Sequence, residues 1–95
     1  MAGNQNYQTQ IEALRELEAY LHGVSSEMQN LMRAYSEKVS GLADRGLPVR
    51  VHDKVKIEFY MPSQNLVTQS CAITQEQAIP YLRQQIRLLE QALHM

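Results

Sequence analysis

The stretch Val49-Arg50-Val51-His52-Asp53-Lys54-Val55-Lys56-Ile57-Glu58-Phe59-Tyr60-Met61 decides the fold. Val49, Val51, Val55, Ile57, Phe59 and Met61 alternate with Arg50, His52, Lys54, Lys56 and Glu58. That period of two, rich in β-branched residues, reads as a strand. Pro62-Ser63-Gln64-Asn65 is then a turn, and Leu66 to Ile73 the return strand. Thr74-x-x-Gln77 becomes a capping box opening a final helix. The same stretch also fits one helix from about 49 to 93. Ile57, Tyr60, Val67, Cys71, Ala78, Leu82, Ile86, Leu89 and Leu93 then share one stripe. Pro62 and Pro80 fall on the opposite face, where they kink the helix without entering the stripe. From Ala78 onward both readings agree on helix.

Upstream the pattern is unambiguous. Tyr7, Leu14, Leu21, Met28, Tyr35 and Leu42 recur at intervals of seven, with Ile11, Leu17, Val24, Leu31, Met32 and Val39 beside them. This is an apolar stripe at helical period, opposite Gln8, Glu12, Arg15, Glu16, Arg33 and Glu37. Thr9-x-x-Glu12 is a candidate capping box near its start. Gly46 suits a left-handed C-terminal cap, and Pro48 follows as a stop. At 1.5 Å per residue this helix is about 55 Å long. It cannot bury such a stripe alone, so it needs a return helix, another chain, or both.

The fold expected is all-α: an antiparallel two-helix hairpin, one domain over 1–95, forming a bundle with a second chain. Helix 1 covers about 6–45, the turn 44–48 and the second half 49–94. The alternative is α-β-β-α: long helix, β-hairpin, helix. The expected partner interface is Leu14, Leu17, Leu21, Val24, Met28, Leu31, Tyr35, Leu42, Ile79, Leu82, Ile86, Leu89 and Leu93. Burial of each such side chain contributes about 1.5–3 kcal/mol, which outweighs scattered surface ion pairs.

Composition narrows the function. With 95 residues, 44% apolar and a formal net charge of −1, no global charge pulls the chain towards nucleic acid. No apolar run approaches the roughly 20 residues of a membrane span. The polar start Met1-Ala2-Gly3-Asn4-Gln5-Asn6 has no signal-peptide pattern. The expectation is a cytoplasmic protein, with export by a route needing no cleaved signal left open. Cys71 is the single cysteine, so no intrachain disulfide forms, and its setting beside Ala72 and Ile73 suits a buried inert thiol.

No arrangement for catalysis is legible, and no catalytic, metal or cofactor-binding residue is expected. His22, His52 and His94 share no metal-site spacing. Gly3, Gly23, Gly41 and Gly46 are isolated, so there is no phosphate-binding loop. Ser25, Ser26 and Ser36 have no nearby histidine in the sequence to activate them. In a strand, His52 and Asp53 point to opposite faces. Arg45, Arg50, Lys54 and Lys56, with His52 nearby, form the one concentration of positive charge. Asp44, Asp53 and Glu58 dilute it, so it reads first as a solvated tip and second as a protein contact. What remains is a non-enzymatic partner of another protein chain, either a homodimer or a heteromer.

Two families share parts of this plan. Length, a midpoint turn at Asp44-Arg45-Gly46 and two long helices resemble the WXG-motif family of small bacterial type VII secretion proteins. Of that family's Trp-x-Gly only Gly46 is present, and Tyr81 is followed at the fourth position by Gln85 where the family's export signal has an acid. The resemblance implies a leaderless helical hairpin that pairs with a second chain, such as a toxin or effector, the partner supplying the export signal. The stretch Glu76-Gln77-Ala78-Ile79-Pro80-Tyr81-Leu82-Arg83-Gln84-Gln85-Ile86, with the strand pattern at 55–61, resembles prefoldin-like chaperones. That resemblance implies helix, β-hairpin, helix and a chaperone subunit. A homo-oligomeric coiled-coil structural protein is the third reading.

Overall fold

We describe the fold from a computed structural model, which describes residues 2–94 and the side chains of residues 6–94. The protein is an all-α helical hairpin. Its first arm is α1, Ala2–Ala43. Its second arm runs through α2 (Val49–Lys54), a π-helical turn (Val55–Tyr60), α3 (Met61–Ile73), a second π-helical turn (Thr74–Ala78) and α4 (Ile79–Leu93).

The strand reading of 49–61 is overturned: there is no strand among the described residues. The reason lies in what each conformation buries. A lone two-stranded hairpin leaves one face and both edges to water. As helix, the same segment turns His52, Val55 and Tyr60 away from full exposure, and Tyr60 meets the Tyr35 ring edge-on, with centroids 5.2 Å apart. β-Propensity yields to such packing. One member of the helical stripe is misplaced, however: Ile57 is exposed.

The second arm begins at Val49, as the hairpin reading expected, but neither capping box forms. α1 starts at Ala2, so Thr9 lies inside it and does not cap it. Thr74 likewise opens no helix, because the second arm continues through it. The turn follows the sequence reading closely. Gly46 takes a φ of 112°, where a side chain is strained. The Leu47 amide donates to the Leu42 carbonyl at 2.9 Å, closing α1 in a Schellman-type arrangement. Pro48 caps α2 in extended conformation, and its carbonyl accepts from the His52 amide at 2.9 Å.

The two π-helical turns have a common cause. Proline lacks an amide hydrogen and its ring collides with the carbonyl four residues back. For Pro62 that carbonyl belongs to Glu58, and for Pro80 to Glu76; each lies inside a π-helical turn. There the Met61 amide reaches Lys56 and the Ile79 amide reaches Thr74, five residues back rather than four. The widened turn carries the obstructing carbonyl aside while the helix continues. The Ser63 hydroxyl donates to the Phe59 carbonyl at 2.8 Å, supplying a partner near the break.

Packing divides the chain into two compact units. The first, Met1–Ser25 with Ala72–Met95, holds the free ends of both arms. The second, Ser26–Cys71, holds the turn. Ile11, Ser25, Ile79, Leu82 and Ile86 are buried in the first, and Met32 and Cys71 in the second.

Candidate interaction surface

Hairpin closure uses most of the side chains that the sequence assigned to a partner. Ile79, Leu82 and Ile86 are buried within this chain. Leu14, Leu21, Val24, Met28, Tyr35, Leu42, Leu89 and Leu93 are half-buried. Only Leu17 and Leu31 of that set are exposed. The exposed apolar side chains that the sequence reading did not assign to the interface are Tyr20, Val49, Val51, Ile57, Phe59, Met61, Leu66, Ile73, Tyr81 and Leu88.

Their placement follows from helical register. A helix turns about 100° per residue. One step back from an inward-facing residue leads to one flank of the arm, and one step forward to the other. In the first unit the arms run antiparallel, since Arg15 meets Glu90 while Glu18 meets Arg83. A two-fold axis between antiparallel helices exchanges them without exchanging flanks. A backward step therefore leads to the same flank from either arm.

In the first unit the forward flank is ionic. Arg15 follows Leu14, Arg83 follows Leu82 and Glu90 follows Leu89. Arg15 pairs with Glu90 at 2.8 Å and Arg83 with Glu18 at 2.9 Å, across the two arms. His22 Nε2 lies 3.6 Å from the same Glu18 carboxylate. The Arg83 guanidinium, donating to Glu18, holds that carboxyl below its ordinary value of 4.5, and His22 adds to the effect against the opposing pull of desolvation. The backward flank is apolar. Tyr20 precedes Leu21, Tyr81 precedes Leu82 and Leu88 precedes Leu89; all three are exposed.

The second unit repeats the rule in part. Leu31 precedes Met32, Phe59 precedes Tyr60 and Leu66 precedes Val67, and all three are exposed. Its forward flank is mixed: exposed Met61, one step after Tyr60, accompanies a polar recess. Ser36, Val39, Ser40, His52, Lys56 and Tyr60 line that recess, a cavity of about 70 Å³. Ser36 and His52 thus share a recess although they are far apart in sequence. The expectation that His52 and Asp53 point apart is also corrected: in the helix His52 Nδ1 lies 3.1 Å from Asp53 Oδ1. Of the basic residues near the turn, Lys54 lies 3.6 Å from Glu58, an exposed pair of small energetic weight. Cys71 is buried and forms no disulfide, as expected.

Among the described residues no group of three or more His, Cys, Asp or Glu side chains is placed to hold a metal ion. No described helix is long and apolar enough to cross a membrane. No family model matches the chain, and no curated protein or solved structure is significantly similar to it.

Proposed function

We propose that the protein is a non-enzymatic helical protein that binds another protein chain. The observation that carries this reading is the surface left over after folding. Among the described residues twelve large apolar side chains are exposed while six apolar residues are buried. Apolar area of that extent marks a surface that another molecule covers.

The finer reading is a bacterial type VII secretion partner, pairing with a toxin, an effector or a second small helical protein. Its support is the short hairpin with its turn at Gly46, near the middle of the chain. Native mass spectrometry of the full chain, alone and co-expressed with proteins encoded beside its gene, tests both levels. A homo-oligomer or a defined heteromer is expected. A monomer in every combination would sink the partner-binding reading. A stable complex whose other member stays in the cell, whether or not this chain is present, would sink only the secretion reading.

A further inference from the structure

We propose that the backward flank of the first unit is a self-association surface, through which two copies of this chain pair by Leu17, Tyr20, Ile73, Tyr81 and Leu88. The inference rests on the partner-binding reading and names its surface and its occupant.

The first ground is asymmetry. Each ion pair between the arms of this unit lies on the forward flank. Solvation therefore suits that side, while the other carries uncharged side chains of large area. Tyr20 is 68% exposed and Tyr81 59%. These two have the two-torsion stiffness and amphipathic ring that favour aromatic residues at interfaces.

The second ground is continuity. Ile73, Tyr81 and Leu88 stand at intervals of eight and seven. An interval of eight normally rotates a side chain off the stripe. Here it spans the π-helical turn Thr74–Ala78, whose larger number of residues per turn absorbs the extra residue. The turn that accommodates Pro80 thus also keeps the three residues on one face.

The third ground is area and charge. At about half to two-thirds exposure each of the five side chains shows on the order of 100 Å². One flank thus offers roughly 500 Å², and two copies together roughly 1,000 Å², the lower bound for a specific interface. A strongly charged partner would find no opposite charges among these five residues. A second copy of the same flank brings equal apolar area and leaves no ion unpaired, the self-complementary match of a two-fold dimer.

The test is the native mass of the full chain by sedimentation and light scattering across a concentration series. Wild type is expected to dimerise. Tyr20→Glu with Tyr81→Glu is expected to weaken the dimer at least a hundredfold while helical circular dichroism is kept. Tyr20→Ser with Tyr81→Ser provides the neutral version should the charged pair lose helix. Arg87→Glu, on the forward flank, is expected to leave the mass unchanged. A dimer that tolerates both tyrosine pairs overturns the assignment of the flank. A wild-type chain that stays monomeric at high concentration overturns self-pairing, yet leaves binding of a different chain standing.

Discussion

The two units close the same pair of arms with different materials. At the free ends, Ile11, Ile79, Leu82 and Ile86 form a buried aliphatic core, and two ion pairs bridge the arms outside it. Near the turn, burial is confined to Met32 and Cys71, supported by the edge-on Tyr35–Tyr60 pair. There Gln64 Oε1 is buried with no hydrogen-bond partner among the described residues. The difference has an entropic origin. The short connection at 44–48 keeps the neighbouring segments together, so little closure entropy opposes their pairing. The free ends have no such tether and depend on packing density. Polar residues and a mixed surface are tolerated where covalent connectivity already does part of the work.

Four substitutions probe that contrast, from the largest effect to the smallest. Leu82→Ala removes a buried side chain from the untethered unit and is expected to cost about 2–5 kcal/mol in chemical denaturation. Leu31→Asp, on a side chain already in water, is expected to leave helical content intact in circular dichroism. Equal losses from the two would erase the distinction between seam and flank. Gly46→Ala strains the tether itself, since Gly46 sits at positive φ. It is expected to cost about 1–2 kcal/mol, read from urea midpoints, and hydrogen exchange is expected to locate the loss first in the turn unit. Gln64→Leu replaces the orphaned amide with apolar volume and is expected to stabilise the turn unit by about 1 kcal/mol, visible as a rise in melting temperature. A loss of stability would mean that the amide has a partner which the packing needs.

The smallest effect concerns pH. Glu18 has a folded carboxyl value held below 4.5, first by the hydrogen bond from Arg83. Its folded form binds a proton less tightly than its unfolded form. The contribution is therefore present above the ordinary carboxylate range and is lost as pH falls through the depressed folded value. Glu18→Gln is expected to give a shallower fall in melting temperature below about pH 4.5 than wild type. Parallel acid limbs for the two proteins would show that this ion pair adds nothing to the free-end unit.

Much of the architecture was legible in the residues. The heptad spacing from Tyr7 to Leu42 foretold α1, and Gly46 with Pro48 foretold the turn. Leu82, Ile86, Leu89 and Leu93 were read as a seam, and they are buried or half-buried. Which apolar residues stay exposed was harder to read. Periodicity identifies the strongest apolar stripe, but a hairpin turns that stripe onto itself. The exposed apolar residues Tyr20, Leu31, Phe59, Leu66, Tyr81 and Leu88 sit one position before the seam, and a weaker signal one step away is eclipsed by the stronger one.

By itself, the sequence determined the first helix, the last one and where the chain reverses, because these depend on neighbours within a few residues: apolar period, glycine at positive φ, proline at a helix start. Tertiary structure alone decided three further matters. It decided that 49–61 is helix, because packing against α1 outweighs a local preference for strand. It resolved Pro62 and Pro80 as π-helical turns, which let the second arm continue past each ring. And it divided the apolar residues between a covered seam and an open flank, since which side of a helix is covered depends on the antiparallel arm beside it, a long-range fact that no local pattern carries.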